Sequence, residues 1–118
     1  MVAENALQLT DQTFQEVISF PGVTLVDFWA AWCGPCRAMA PHIETLAVKY
    51  KDNAQVNIAQ MDIEAEPETS QALRILSIPC FKYFVNGKEV DQVVGVNPIQ
   101  ELEAHIQKAL NALTPATT

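Results

Sequence analysis

The run Val23 to Ala30, VTLVDFWA, is the segment that most limits how this chain can fold. It is β-branched, aliphatic or aromatic at odd and even positions alike, so as a strand it is apolar on both faces. Such a strand lies inside a sheet with helices packed on either side, not on a sheet with one face in water. Its one ionisable residue, Asp27, is then a carboxylate in an apolar setting. Burial disfavours the charged form and should raise its pKa. Asp27 is therefore expected to take up and release a proton rather than to form a salt bridge.

The neighbouring segments supply the layers. After a short apolar start at Leu7 and Leu9, Thr10 is placed to cap a helix carrying Phe14, Val17 and Ile18. A second helix is expected from about Cys33, with Met39, Ile43, Leu46, Ala47 and Tyr50 along one face and Pro41 kinking it. Gln55 to Ile63 reads as another strand, and Pro67 opens a short acidic helix. CFKYFV and EVDQVVGV, joined across Asn86-Gly87, read as a hairpin, because that dipeptide suits the tight turn whose twist matches paired strands. A last helix is capped by Asn97, with Pro98 at its first position and Gln100 reaching back. Its apolar stripe is Ile99, Leu102, Ile106, Leu110 and Leu113. The order β-α-β-α-β-α-β-β-α implies an α/β fold: a central mixed sheet of about five strands flanked by helices on both faces. Strands joined through helices run parallel, and the hairpin makes one end antiparallel.

The 118 residues suffice for one core, so a single domain over 1–118 is expected. A hydrophobic share of 49 % against 18 % charged is that of a globular chain rather than a disordered one. No apolar run reaches the roughly 20 residues of a membrane span. The tail NALTPATT is expected to fray. A net charge of −7, with Lys and Arg scattered singly, argues against nucleic acid or an anionic membrane as partner. The opening MVAENALQLTDQ lacks the order of a secretion signal, so a cytoplasmic address is expected.

Three cysteines are too few for a disulfide scaffold, and two of them, Cys33 and Cys36, are close in sequence. In a reducing compartment such a pair does redox chemistry or binds metal. At a helix start the two β-carbons are close enough for a disulfide. Unpaired N–H groups and the positive end of the helix stabilise a thiolate there, most strongly at the first cysteine. Cys33 is thus the candidate nucleophile and Cys36 the thiol that resolves its mixed disulfide. Pro35 suits a first helical turn, Gly34 leaves Cys33 open to a docked substrate, and Trp32 adds an apolar shoulder. A zinc site needs four ligands; Cys80, His42 and His105 are the remaining candidates and none sits in a second paired motif, so no metal is expected.

WCGPCR after TLVDFWA, SIPC further on and VNGKEV beyond it resemble the thioredoxin family, over about Leu9 to Leu110. The resemblance implies a protein-disulfide reductase working by reversible dithiol/disulfide exchange at Cys33 and Cys36. It implies that Asp27 takes the proton of Cys36, and that the Ile78–Pro79 bond is cis and beside the cysteines. Trp32, Ile78, Pro79 and Gly95 would then form the substrate-binding surface. The Gly-Pro between the cysteines points to electron donation. The thioredoxin couple lies near ~−270 mV and that of disulfide isomerases near ~−180 mV, about 4 kcal/mol apart; these are values of those families, not of this chain. A thioredoxin reductase, fed distantly by NADPH, would regenerate a monomer acting on disulfide-containing client proteins. No bound cofactor is expected, since no glycine-rich phosphate loop is present. The rival reading is a docking or accessory subunit that uses the surface around Trp32 and Pro79, with redox chemistry incidental.

Two positions depart from the family pattern. Gln60 stands where many members carry a lysine beside the aspartate, and losing that cation should raise the pKa of Asp27 further. Cys80 stands where threonine is usual, as a small buried residue or as a third thiol near Cys33. The stretch Asp62 to Glu68 lacks the glycine-centred loop of a calcium site and reads as a solvated acidic edge. His42 and His105, on helices and without a partner motif, are expected at the surface, and Lys82 is expected to snorkel.

Overall fold

A computed structural model describes residues 2–113. Of the tail, Asn111 to Leu113 lie in the last helix; the remainder, expected to fray, lies outside the described residues. The elements are β1 (Leu7–Gln8), α1 (Phe14–Ile18), β2 (Val23–Trp29), α2 (Gly34–Lys49), β3 (Val56–Asp62), α3 (Pro67–Ala72), β4 (Cys80–Val85), β5 (Lys88–Val94) and α4 (Ile99–Leu113). They form one 5-stranded sheet in the order β1-β3-β2-β4-β5. β1, β3 and β2 run parallel, whereas β4 is antiparallel to both β2 and β5.

β2 is central and buried along its whole length, as its two-sided apolar pattern requires. One face carries Val23 and Leu25 against Met39, Ile43 and Leu46 of α2 and Leu102 and Ile106 of α4. The other carries Val26 and Phe28 against Phe14 and Ile18 of α1. Phe14 meets Phe84 edge-on at 5.6 Å between ring centres. Each large side chain enclosed in this way contributes about 1.5–3 kcal/mol.

Local signals ended the elements where they stood in the sequence. Thr10 stops short of the helix itself, but its hydroxyl accepts the Thr13 N–H at 3.1 Å in the turn that leads into α1. Asn86 and Gly87 take positive φ of 52° and 88°, the conformation a two-residue hairpin turn demands. Pro67 opens α3 and Pro41 lies inside α2. α4 begins at Ile99 rather than Pro98, and the Asn97 amide donates to the carbonyls of Val94 and Gly95 instead of capping the helix.

One expectation about polar side chains is corrected and two are extended. Lys82 does not snorkel: its side chain is 8 % exposed and its ammonium bonds Glu89 at 2.7 Å and Gln92 at 3.0 Å, both on the adjoining β5. Asp62 and Glu66 on the acidic edge do more than face water, since they accept backbone N–H groups of Glu64 and of Asp11 respectively. His105 has partners on two elements: Nδ1 lies 2.5 Å from Asp91 of β5 and Nε2 3.1 Å from Glu101 of α4.

That last cluster has a pH signature. The Asp91 hydrogen bond raises the His105 pKa above 6.5; partial burial opposes this and Glu101 assists it. A folded pKa above the unfolded one makes the contribution full below about pH 6.5 and lost as pH rises through the higher folded value. Urea unfolding of His105→Leu at about pH 6 and about pH 9 is expected to show a larger deficit at the lower pH. An equal deficit at both would mean that the imidazolium does not hold α4 to β5.

Candidate active site

Cys33 is the N-cap of α2, with extended backbone (φ −88°, ψ 109°), and Pro35 sits in the first turn. This geometry aims the Cys36 N–H at Cys33 Sγ, 3.1 Å away. Cys33 and Cys36 are joined as a disulfide with their Cα atoms 5.2 Å apart. Both sulfurs are thereby engaged with each other, in the redox pairing that competed with a zinc site.

The disulfide packs in a small apolar cluster with Trp29, Ala30, Ile63 and Ile78. Trp29 and Ile63 were not singled out from the sequence. Trp29 ends β2 just before Cys33, whereas Ile63, which follows β3, is brought to the sulfurs by the parallel pairing of β2 with β3. Cys33 is also less open than expected, with 4 % of its surface exposed in this disulfide form. Gly34 nevertheless adds no cover, because a Cβ there would meet only the far end of Arg37, at 3.8 Å. Trp32 beside it is 64 % exposed and supplies the apolar shoulder.

Across from the cysteines, the Ile78–Pro79 bond is cis, and the Ile78 carbonyl oxygen lies 3.9 Å from Cys33 Sγ. Gly95 N–H donates to the Pro79 carbonyl at 2.9 Å and keeps open space where a Cβ would stand. The tertiary structure therefore collects Trp32, Ile78, Pro79 and Gly95 around the disulfide end of the sheet. Cys80, the next residue, falls on the opposite side of β4, packed with Phe28, Met61 and Phe84. Burial pushes its thiol up, the Lys82 charge opposes this, and Sγ lies 3.8 Å from Gln92.

Asp27 is 2 % exposed, and burial pushes its pKa from 3.8 up to about 7, with the Gln60 amide pulling the other way. Gln60 Nε2 donates to Asp27 Oδ2 at 3.1 Å. Oδ1 is buried and without a hydrogen-bond partner among the described residues. Two features thus stand apart: a sulfur that accepts a backbone amide at a helix start, and a carboxyl whose pKa burial lifts to about 7.

Comparison with known proteins agrees with this geometry. The Thioredoxin family pattern matches residues 5–108. A thioredoxin of Alicyclobacillus acidocaldarius is 42 % identical over 104 residues, covering 88 % of this chain and 97 % of that protein. One of Staphylococcus saprophyticus is likewise 42 % identical over 104 residues, with the same coverage. A solved mutant thioredoxin from Halobacterium salinarum superposes with a TM-score of 0.78 at 28 % identity, covering 93 % of this chain and 96 % of that one. With its bonded cysteine pair at the head of α2, the chain belongs to the thioredoxin family and is a thiol–disulfide oxidoreductase acting on disulfide-containing substrates.

Proposed function

We propose that Cys33 is the attacking thiolate, Cys36 the resolving thiol and Asp27 the proton acceptor and donor in the reduction of client-protein disulfides. The observation that carries this is the Cys36 N–H held 3.1 Å from Cys33 Sγ at the first turn of α2. Charge on that sulfur is stabilised by the amide and by the positive end of the helix, and among the described residues no backbone amide donates to Cys36 or Cys80 Sγ.

In the reduced chain, Cys33 thiolate attacks one sulfur of a client disulfide. That bond breaks, the second client sulfur leaves as thiolate, and a Cys33–client mixed disulfide forms. Asp27 takes the proton of Cys36, whose thiolate attacks Cys33 Sγ and expels the remaining client sulfur. Two electrons pass to the client, and the chain is left with its Cys33–Cys36 disulfide. Trp32, Ile78, Pro79 and Gly95 would line the client, while Gly34 and Pro35 shape the turn between the sulfurs. A thioredoxin reductase would return the electrons. This reading has one domain working as a monomer in the cytoplasm, without nucleic acid, membrane or bound cofactor. Cys80 is a packing residue in it, because its raised pKa makes it a poor nucleophile. The family assignment favours exchange chemistry over a docking role with redox incidental.

Alkylation separates the thiols. Iodoacetamide at about pH 6.5 is expected to label Cys33 of the reduced protein at least about tenfold faster than Cys36 or Cys80, read by peptide mass spectrometry. Equal labelling of Cys33 and Cys36 would remove the assignment of nucleophile.

A further inference from the structure

Gln8, Gln60 and Asp27 form one transverse row across three adjacent strands: Gln8 pairs with Gln60 between β1 and β3, and Gln60 with Asp27 between β3 and β2. Gln60 Oε1 accepts the backbone N–H of Ala3 at 2.7 Å and the side-chain Nε2 of Gln8 at 3.0 Å. A backbone N–H is a donor only, so it settles which end of the Gln60 amide is oxygen. The nitrogen end is then committed to Asp27 Oδ2. The clamp has its own support. Asn5 N–H and Nδ2 bind the Glu44 carboxylate of α2 at 2.9 and 2.5 Å, and Ala6 N–H donates to Ala3 at 3.0 Å.

One carboxyl oxygen of Asp27 receives a donor and the other, buried Oδ1, receives none among the described residues. A proton on Oδ2 would face the N–H that already points there, so the acid form carries its proton on Oδ1. We propose that Gln60, clamped by Ala3 and Gln8, is a positioning residue that fixes the Asp27 carboxyl with Oδ1 as the oxygen that exchanges protons. This rests on the reading of Asp27 as the proton acceptor and donor. It also makes the amino-terminal segment from Ala3 to Gln8 part of the proton-transfer apparatus, although among the described residues none of it hydrogen-bonds a sulfur.

Other groups around the row are Phe81, which pairs with Asp27 from β4, and Asp62 further along β3. Cys36 lies on α2, and Cys80 and Lys82 lie on β4, where the lysine is occupied by Glu89 and Gln92. Of these, Cys80 feels the Asp27 charge. Burial and the Gln60 amide govern Asp27 itself.

The test uses carboxyl 13C NMR titration of the full chain, with the pH profile of mixed-disulfide resolution measured in parallel. Gln60→Met removes the donor to the ionised carboxyl and is expected to raise the Asp27 midpoint by about one pH unit. Gln8→Met, changed on the exposed edge and not touching Asp27, is expected to raise it by a few tenths of a unit, with the resolution profile following in both. A merely structural role lowers stability without moving either midpoint. An unmoved Asp27 midpoint in Gln60→Met overturns the positioning proposal. A shift in Gln60→Met but none in Gln8→Met overturns the clamp. Should the carboxyl midpoint move while the resolution profile stays, the assignment of Asp27 as proton acceptor fails instead, and with it the catalytic meaning of the row.

Discussion

Asparagine in place of Asp27 is expected to gain stability relative to the parent as pH rises, by about 4 kcal/mol between about pH 4 and about pH 8. The cause is the burial of a carboxyl that is 2 % exposed, which moves its pKa from 3.8 to about 7. Between those values the folded chain holds a proton that the unfolded chain has released. Proton uptake then favours the folded state at the acidic end, and the parent loses stability as pH rises from the unfolded to the folded pKa. Asparagine does not titrate and escapes that loss. Urea titrations of both oxidised proteins at the two pH values read the difference directly; a constant offset would show that Asp27 ionises normally. A charged group kept at this cost in stability fits a proton-transfer role better than a packing one.

Serine in place of Cys36 is expected to reduce insulin-disulfide turnover with dithiothreitol by on the order of a thousandfold or more. Resolution by Cys36 is intramolecular, and its high effective molarity far exceeds a millimolar external thiol. The variant should accumulate as a covalent adduct with its client, because the attack by Cys33 remains while release does not. Cys33→Ser should lose turnover equally and yield no adduct. Mass spectrometry of the trapped species would also name the clients. Adducts forming on Cys33→Ser through Cys36 or Cys80 would reverse the order of attack. Cys33 is 4 % exposed in the disulfide form, so on this reading a client would have to come close to Ile78 and Trp32 to reach the sulfur.

The Gln60 position illustrates how a substitution legible in sequence acquires its meaning in space. Losing a cation beside Asp27 pointed to a pKa above that of lysine-bearing members, but the cause visible in this chain is burial, which pushes the carboxyl up to about 7. Gln60 is not an inert replacement, however. Its amide donates to the carboxylate and partly offsets the burial that dominates. Cys80 follows the same course: adjacency to Pro79 in the chain suggested closeness to Cys33, yet strand alternation turns its side chain to the other face of the sheet.

What the amino-acid order determined by itself was whatever depends on near neighbours in the chain. The two-sided apolar run of β2, the Asn86-Gly87 turn, the proline-opened α3 and the cysteine at the head of α2 all rest on backbone sterics, capping and periodicity within a few residues. The tertiary structure alone decided that β3 lies between β1 and β2 and that β4 runs against β2. It alone set the register that lines up Gln8, Gln60 and Asp27, and the contact of His105 with Asp91. Those pairings join residues far apart in the chain, and their register is chosen by how whole faces bury against each other, a quantity that no local pattern carries.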